Sequence, residues 1–162
     1  MSNHDFLFRA AVFAIIRDDK NRVLLHRRKN TGYMDGYYDF PSGHVDPGEG
    51  FATAAVRELQ EETSLQASEA DLRLKHLNLN NTDFPYINAV FDVEKWQGEP
   101  NIMEPNKCDD MGFFAPDALP EKCTLAVRYV EQAGFDVRGT TSYFDQDGFK
   151  ALMGIDFTDS MS

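Results

Sequence analysis

A chain of 162 residues, 42% of them hydrophobic, suits one domain that buries roughly 70% of its unfolded surface, which excludes a disordered polymer and any need for a disulfide scaffold. Its formal charge of −11 repels nucleic-acid backbones and excludes a broad duplex-binding surface. No apolar run approaches the ~18–20 residues that span a bilayer, and the opening MSNHDFLFRA has no basic segment followed by an apolar core, so the expectation is a soluble, cytoplasmic protein without a membrane partner.

The elements follow in chain order. FLFRAAVFAIIRDD, from Phe6, is apolar and β-branched and reads as a strand. Asp18, Asp19, Lys20 and Asn21 make a turn, and RVLLHRR, from Arg22, returns as the partner strand of a hairpin. Residues 30–50 hold five glycines and two prolines and read mostly as loop. A helix begins near Phe51, with Ala52, Ala55, Val56 and Leu59 at the i, i+3, i+4, i+7 spacing of one face. Asp71 to Asn81 alternates apolar and polar like a half-buried strand, and Tyr86 to Trp96 reads as the next. A short strand is expected at Met111 to Phe114 and a helix from Thr124 to Ala133; past Gly139 no periodicity is legible. No repeat or linker divides the chain, so residues 1–162 form one α/β domain, a mixed β-sheet flanked by helices on both faces. Cys108 and Cys123 lack metal-site spacing and are expected as reduced thiols.

The acids on the first helix are not scattered. Glu58, Glu61 and Glu62 fall within an arc of roughly 100° beside the apolar stripe. Such crowding of like charges destabilises a helix. A hard divalent cation turns the repulsion into attraction, because Mg²⁺ and Mn²⁺ take carboxylate and water oxygens. It would also reconcile an acidic protein with a phosphate substrate, by inverting the local field. A solvated acidic helix end is the plainer alternative.

The surroundings weigh against that alternative. From Gly43 the chain runs through five residues to Glu49, seven more to Arg57-Glu58-Leu59, then one to Glu61-Glu62 and one to Ser64-Leu65. This resembles the Nudix box, G-x5-E-x7-R-E-U-x-E-E-x-G-U with U a bulky aliphatic residue, and departs from it only where Ser64 replaces the last glycine. A glycine there suits a left-handed residue ending the helix; serine adopts that conformation at a cost of order 1 kcal/mol and no chemical group is lost. The resemblance implies a Nudix α/β/α sandwich, with the cleft between the box helix and the sheet. It implies cations, Mg²⁺ with Mn²⁺ able to substitute, held by Glu58, Glu61 and Glu62. It also implies a bracing pair, Glu49 and Arg57, and a loop backbone at Ser42 and Gly43 that completes the metal shell.

Two further stretches resemble the MutT-type nucleoside triphosphate pyrophosphohydrolase branch. Trp96 to Glu104, WQGEPNIME, is similar to a W-x-G-E-P-x-x-x-E stretch, which makes Glu104 a further metal ligand or base, with Asp109 and Asp110 as rivals. LLHRRKN is similar to a strand whose second arginine contacts phosphates, which makes Arg28 a substrate ligand; a guanidinium donates bidentately to phosphate oxygens. Of the aromatics before the box (Tyr33, Tyr37, Tyr38 and Phe40), Tyr38 and Phe40 are the expected base contacts. His44 reads as an exposed loop residue. The asparagine with which that branch reads an oxidised guanine has no match in LPEKCTLAVRY, and the sequence does not select among Asn78, Asn80, Asn81 and Asn88 to replace it. The implied reaction is hydrolysis of a nucleoside diphosphate linked to a group X, with phosphate the preferred X. Nucleoside-diphosphate sugars, dinucleotides and RNA 5′ ends stay open, as does a homodimer. Nudix domains that sense nucleotides without turnover usually lose box glutamates, and this chain keeps them.

Overall fold

The computed structural model describes residues 7–153. In chain order the elements are β1 (Arg9–Ile15), β2 (Val23–Arg28), β3 (Tyr38–Asp39), β4 (Ser42–His44), α1 (Phe51–Thr63), β5 (Leu72–Asn81), β6 (Tyr86–Val93), β7 (Cys108–Phe114), α2 (Leu125–Ala133), β8 (Thr140–Asp145) and α3 (Gln146–Met153). Phe6, where the first strand was expected to start, lies outside the described residues. None of the helices is long and apolar enough to cross a membrane.

The expected hairpin is corrected. The Asp18–Asn21 turn exists, held by Asp18 N–H to Arg22 O at 3.0 Å, but pairing stops after Arg17 and Val23. β1 alternates Val12 and Ala14 toward one side and Phe13 and Ile15 toward the other, and both sides pack into cores. Such a strand belongs inside a sheet. Its two edges are taken by β4, antiparallel, and β6, parallel, so β2 has no edge to join and pairs with β3 and β7 instead. One mixed sheet was expected; two form. The larger is mixed, in the order β4-β1-β6-β5-β8, and the smaller is antiparallel, β3-β2-β7.

α1 lies over β4, β1 and β6. Its buried face carries Ala54, Ala55 and Leu59, packed on Val12, Ala14, Ala89 and Phe91. Leu59, 1% exposed, contributes about 1.5–3 kcal/mol by burial. The helix ends where Ser64 turns left-handed, φ 64°, and its N–H bonds Gln60 O. α2 and α3 cover the opposite face with Leu125, Val127, Tyr129, Val130 and Phe149.

The alternation of β5 is present, with its phases used in an unexpected sense. Leu74 and Leu77 are 48% and 37% exposed, while His76, Asn78 and Asn80 are buried. A bulge between Leu74 and His76 absorbs the extra Lys75, so that Leu74 and Leu77, three apart, share a face with Phe91 and Ala89. Leu72, at the start of β5, joins the core under α1, whereas Leu74 and Leu77 further along stay uncovered. Lys75 turns inward and its Nζ donates to the carbonyls of Phe135 and Val137. The stretch past Gly139, where no period was legible, forms β8, parallel to β5, and then α3.

Candidate active site

The bends before α1 set the site. β4 is the edge strand beside β1, and Gly43 pairs with Val12 on the side facing α1. A methyl on Gly43 would sit 1.9 Å from Cδ of Glu58, so only glycine leaves that carboxylate its place. One turn along the helix, Glu62 Oε2 accepts the Ser42 N–H at 2.8 Å. The loop after β6 brings in the third acid. Gln66 and Gln97 bond each other, Gly98 turns at φ 101°, and Asn101 N–H bonds Thr63 O at 2.9 Å while Met103 N–H reaches Glu62 O at 3.4 Å. This stitching to the end of α1 carries Glu104 within electrostatic reach of Glu58 and Glu62.

Burial is the main force on these groups. It pushes the Glu62 carboxyl well above the usual carboxylate range; the Ser42 N–H opposes this, and the charges of Glu58, Asp39 and Glu104 add to it. Burial raises Glu58 as well, against the Arg57 guanidinium at 2.8 Å, with Glu61 and Glu104 adding to the rise. Glu61 points outward toward Arg57 Nη1 at 3.3 Å, its side chain 55% exposed. Arg57 also grips Glu49 through two bonds, 2.6 and 2.9 Å, and donates to His44 O. That grip holds Glu49 down to about 2 and clamps the loop to the helix.

Among the described residues no three His, Cys, Asp or Glu groups close into a ready-made cation cage; Arg57 bridges Glu58 and Glu61 instead. The donor set still fits a hard divalent cation. The charge of Glu104 raises both Glu58 and Glu62, and that of Glu58 raises Glu62 further; removing that repulsion requires positive charge or protons.

The other expected residues fall in different places. Asp109 is ion-paired to Arg27 at 2.7 Å and Asp110 accepts the Tyr38 hydroxyl, so both rivals of Glu104 are engaged elsewhere. Residues paired across an antiparallel ladder share a face, and Tyr38, Arg27 and Asp110 therefore lie opposite His26, Asp39 and Met111. Tyr38 is turned from the glutamates and packs edge-on against Phe114. Phe40 is 0% exposed, edge-on to Phe135 in the core, and offers no face to a base; that expectation is corrected. Arg28 bonds Tyr33 O at 2.7 Å, Thr31 Oγ1 at 3.1 Å and Asp39 Oδ2 at 3.4 Å, and its guanidinium lies 5.3 Å from the Tyr33 ring centre. His44 is exposed and stacks on Tyr86. Both cysteines are free and buried.

Sequence reasoning missed two residues. His26 Nε2 lies 3.7 Å from Glu62 Oε2 and 3.1 Å from Phe40 O, and burial lowers its pKa. Asp39 accepts from Thr124 Oγ1 and from Phe40 N–H. Neither stands in a recognisable spacing; only the pairing of β2 with β3 brings them together.

The NUDIX domain family model matches residues 7–132. The chain belongs to that family. It is 34% identical over 86 residues to an 8-oxo-dGTP diphosphatase of Escherichia coli, a stretch that is 53% of this chain and 66% of that protein. It is 38% identical over 72 residues to an RNA pyrophosphohydrolase of Nitrobacter winogradskyi, 43% of this chain and 42% of that one. The chain thus spans less than two thirds of either relative. Among solved structures, a MutT NUDIX hydrolase from Burkholderia pseudomallei aligns with a TM-score of 0.72 at 28% identity, over 78% of this chain and 98% of that one.

Proposed function

We propose that this Nudix domain hydrolyses a diphosphate linkage in a nucleoside triphosphate, giving the nucleoside monophosphate and pyrophosphate, with Mg²⁺ or Mn²⁺ held by Glu58, Glu62 and Glu104. The observation that carries the reading is the convergence of these three carboxylates beside Gly43 and Ser42. When bound, the cation supplies charge neutralisation at the phosphoryl oxygens and lowers the pKa of water. Glu61, at the rim, adds negative charge on the outer side of the cluster. Because the acids are coupled, their protons belong to the set, and the base is the cluster rather than one residue. His26, kept neutral by burial, packs behind Glu62 and limits its rotation. Arg28 opens its fork toward phosphate once it exchanges a bond to Tyr33 O or Thr31, an exchange that favours a dianionic group over a neutral one.

The triphosphate preference draws on the similarity to the E. coli diphosphatase. The Nitrobacter relative supports a second reading, removal of pyrophosphate from RNA 5′ ends, which a charge of −11 disfavours. Purified protein with Mg²⁺ should release pyrophosphate, not orthophosphate, from nucleoside triphosphates. If triphosphates stay intact while triphosphorylated RNA, a dinucleotide or a nucleotide sugar is cleaved, the substrate reading fails and the linkage chemistry stands.

A further inference from the structure

The side of β5 under the helices carries polar groups where a covered sheet face is ordinarily aliphatic. His76, Asn78 and Asn80 of β5 and Asn88 of β6 are 2, 0, 8 and 7% exposed, and pairing adds Thr140, Ser142 and Phe144 of β8 to the same face. A network ties most of them. Asn88 Nδ2 donates to Asn78 Oδ1 at 3.0 Å, and Asn78 Nδ2 donates to Ser142 Oγ at 2.9 Å. The two ring nitrogens of His76 lie 2.7 Å from Ser142 Oγ and Thr140 Oγ1. Burial lowers the His76 pKa, so the network is uncharged.

Three buried side-chain atoms of the described residues have no hydrogen-bond partner: Asn80 Oδ1, Tyr129 OH and Gln146 Oε1. They cluster. Asn80 registers with Phe144, the Tyr129 ring stacks on both His76 and Phe144, and Gln146 opens α3 directly after β8. Buried polar atoms left unpaired cost free energy until a ligand or water partners them. An uncharged network beside stacked rings does not suit phosphate. It suits a flat, neutral ring with a hydrogen-bonding edge. Asn80 Oδ1 and Gln146 Oε1 can only accept, so that edge must donate.

We propose that Asn80, Gln146 and Tyr129 form the base subsite and select a base bearing an exocyclic amino group. The proposal deepens the reading of a nucleotide hydrolase and rests on it. Ser42, whose N–H holds Glu62, sits on β4, and three strand spacings of roughly 4.8 Å separate β4 from β5. A nucleotide holding both would have to reach from the β4 edge, where α1 places the glutamates on one face, to Asn80 on the face that α2 and α3 cover. β8 and α3 lie past residue 132, where the family match ends, so part of the selectivity comes from outside the matched region.

The test uses matched pairs that differ in amino against oxo, CTP with UTP and ATP with ITP. The amino member should have a kcat/KM at least about tenfold higher, carried by KM. In Asn80→Leu, and independently in Gln146→Leu should the first not fold, the ratio should fall toward one. Equal rates for the pairs, an oxo preference, or an unchanged ratio in folded variants overturns the proposal. Titration with CMP and UMP, read by the Asn80 side-chain amide resonance, separates the two failures. If no triphosphate is cleaved but CMP alone shifts that resonance, the base subsite stands and the triphosphate reading falls. If neither shifts it, the subsite falls whatever the activity.

Discussion

α1 and β5 are the two elements with the plainest periodicity in the chain, and the fold uses their periods in opposite senses. In α1 the apolar phase, Ala55 and Leu59, is buried, and the acidic phase sets Glu58 and Glu62 against Gly43 and Ser42. In β5 the apolar phase, Leu74 and Leu77, is exposed, and the phase with His76, Asn78 and Asn80 is buried. A period states that two faces differ; it does not state which one has a neighbour. α1 lands on β4, β1 and β6, so its apolar side finds a partner, while on the same side of β5 Leu72 joins that core but Leu74 and Leu77 stay exposed. The buried polar groups differ too: those of α1 are carboxyls whose pKa burial raises, those of β5 are neutral and tied by hydrogen bonds.

The largest effect should come from the charged region. Glu62→Gln removes a buried carboxylate without changing shape and should cut turnover at least about 10²-fold at saturating Mg²⁺. Near-wild-type turnover in that variant would remove Glu62 from the cation site. Its melting temperature without metal should hold or rise, since a crowded acid is gone; a large fall would assign Glu62 a structural role.

Glu104→Gln should lower kcat more than it raises KM, by about tenfold or more, because a group acting in the transition state is felt there. Asp110→Asn should not, since Asp110 serves Tyr38. The reverse pattern would move the third acid from Glu104 to Asp110.

The contrast between charged and neutral also has a pH signature. Raised folded pKa values at Glu62 and Glu58 mean that the native state binds more protons than the unfolded chain. That stability is present below the ordinary value of 4.5 and is lost as pH rises through the folded values. Metal-free melting temperature should therefore fall with rising pH over that window, and Mg²⁺ should raise it more at about pH 8 than at about pH 5. An equal Mg²⁺ increment at both would uncouple the cation from these acids.

Within β5, Asn78→Leu should cost about 1–3 kcal/mol by stranding Asn88 Nδ2 and Ser142, whereas Leu77→Thr should stay within about 0.5 kcal/mol. Denaturant unfolding that finds Leu77 the costlier of the two would reverse the assignment of the faces. The smallest effect belongs to Ser64→Gly. Relief of the left-handed strain, about 1 kcal/mol, is offset by loss of the Ser64 Oγ bond to Glu99 O at 3.0 Å, so net stability should change by about 0.5 kcal/mol or less. A clear loss would mean that the hydroxyl, more than the backbone, holds the end of α1.

The sequence alone determined the box: the spacing of Gly43, Glu49, Arg57, Glu58, Glu61 and Glu62 is local, and helical geometry converts it directly into one acidic face beside one apolar face. The resemblance to the box suggested a left-handed end at Ser64, and the structure shows it there. Tertiary structure decided what depends on partners remote in the chain. The split of β1 from β2, the burial of Phe40, the bringing of Glu104 within electrostatic reach of Glu58 and Glu62, and the placing of His26 against Glu62 all follow from which strand edges were free and which loop was stitched to α1. The strand and helix past Gly139 were illegible for the same reason: β8 exposes alternate residues on a face with no cover and turns Ser142 toward the asparagines and histidine of β5. Its pattern has meaning only beside β5.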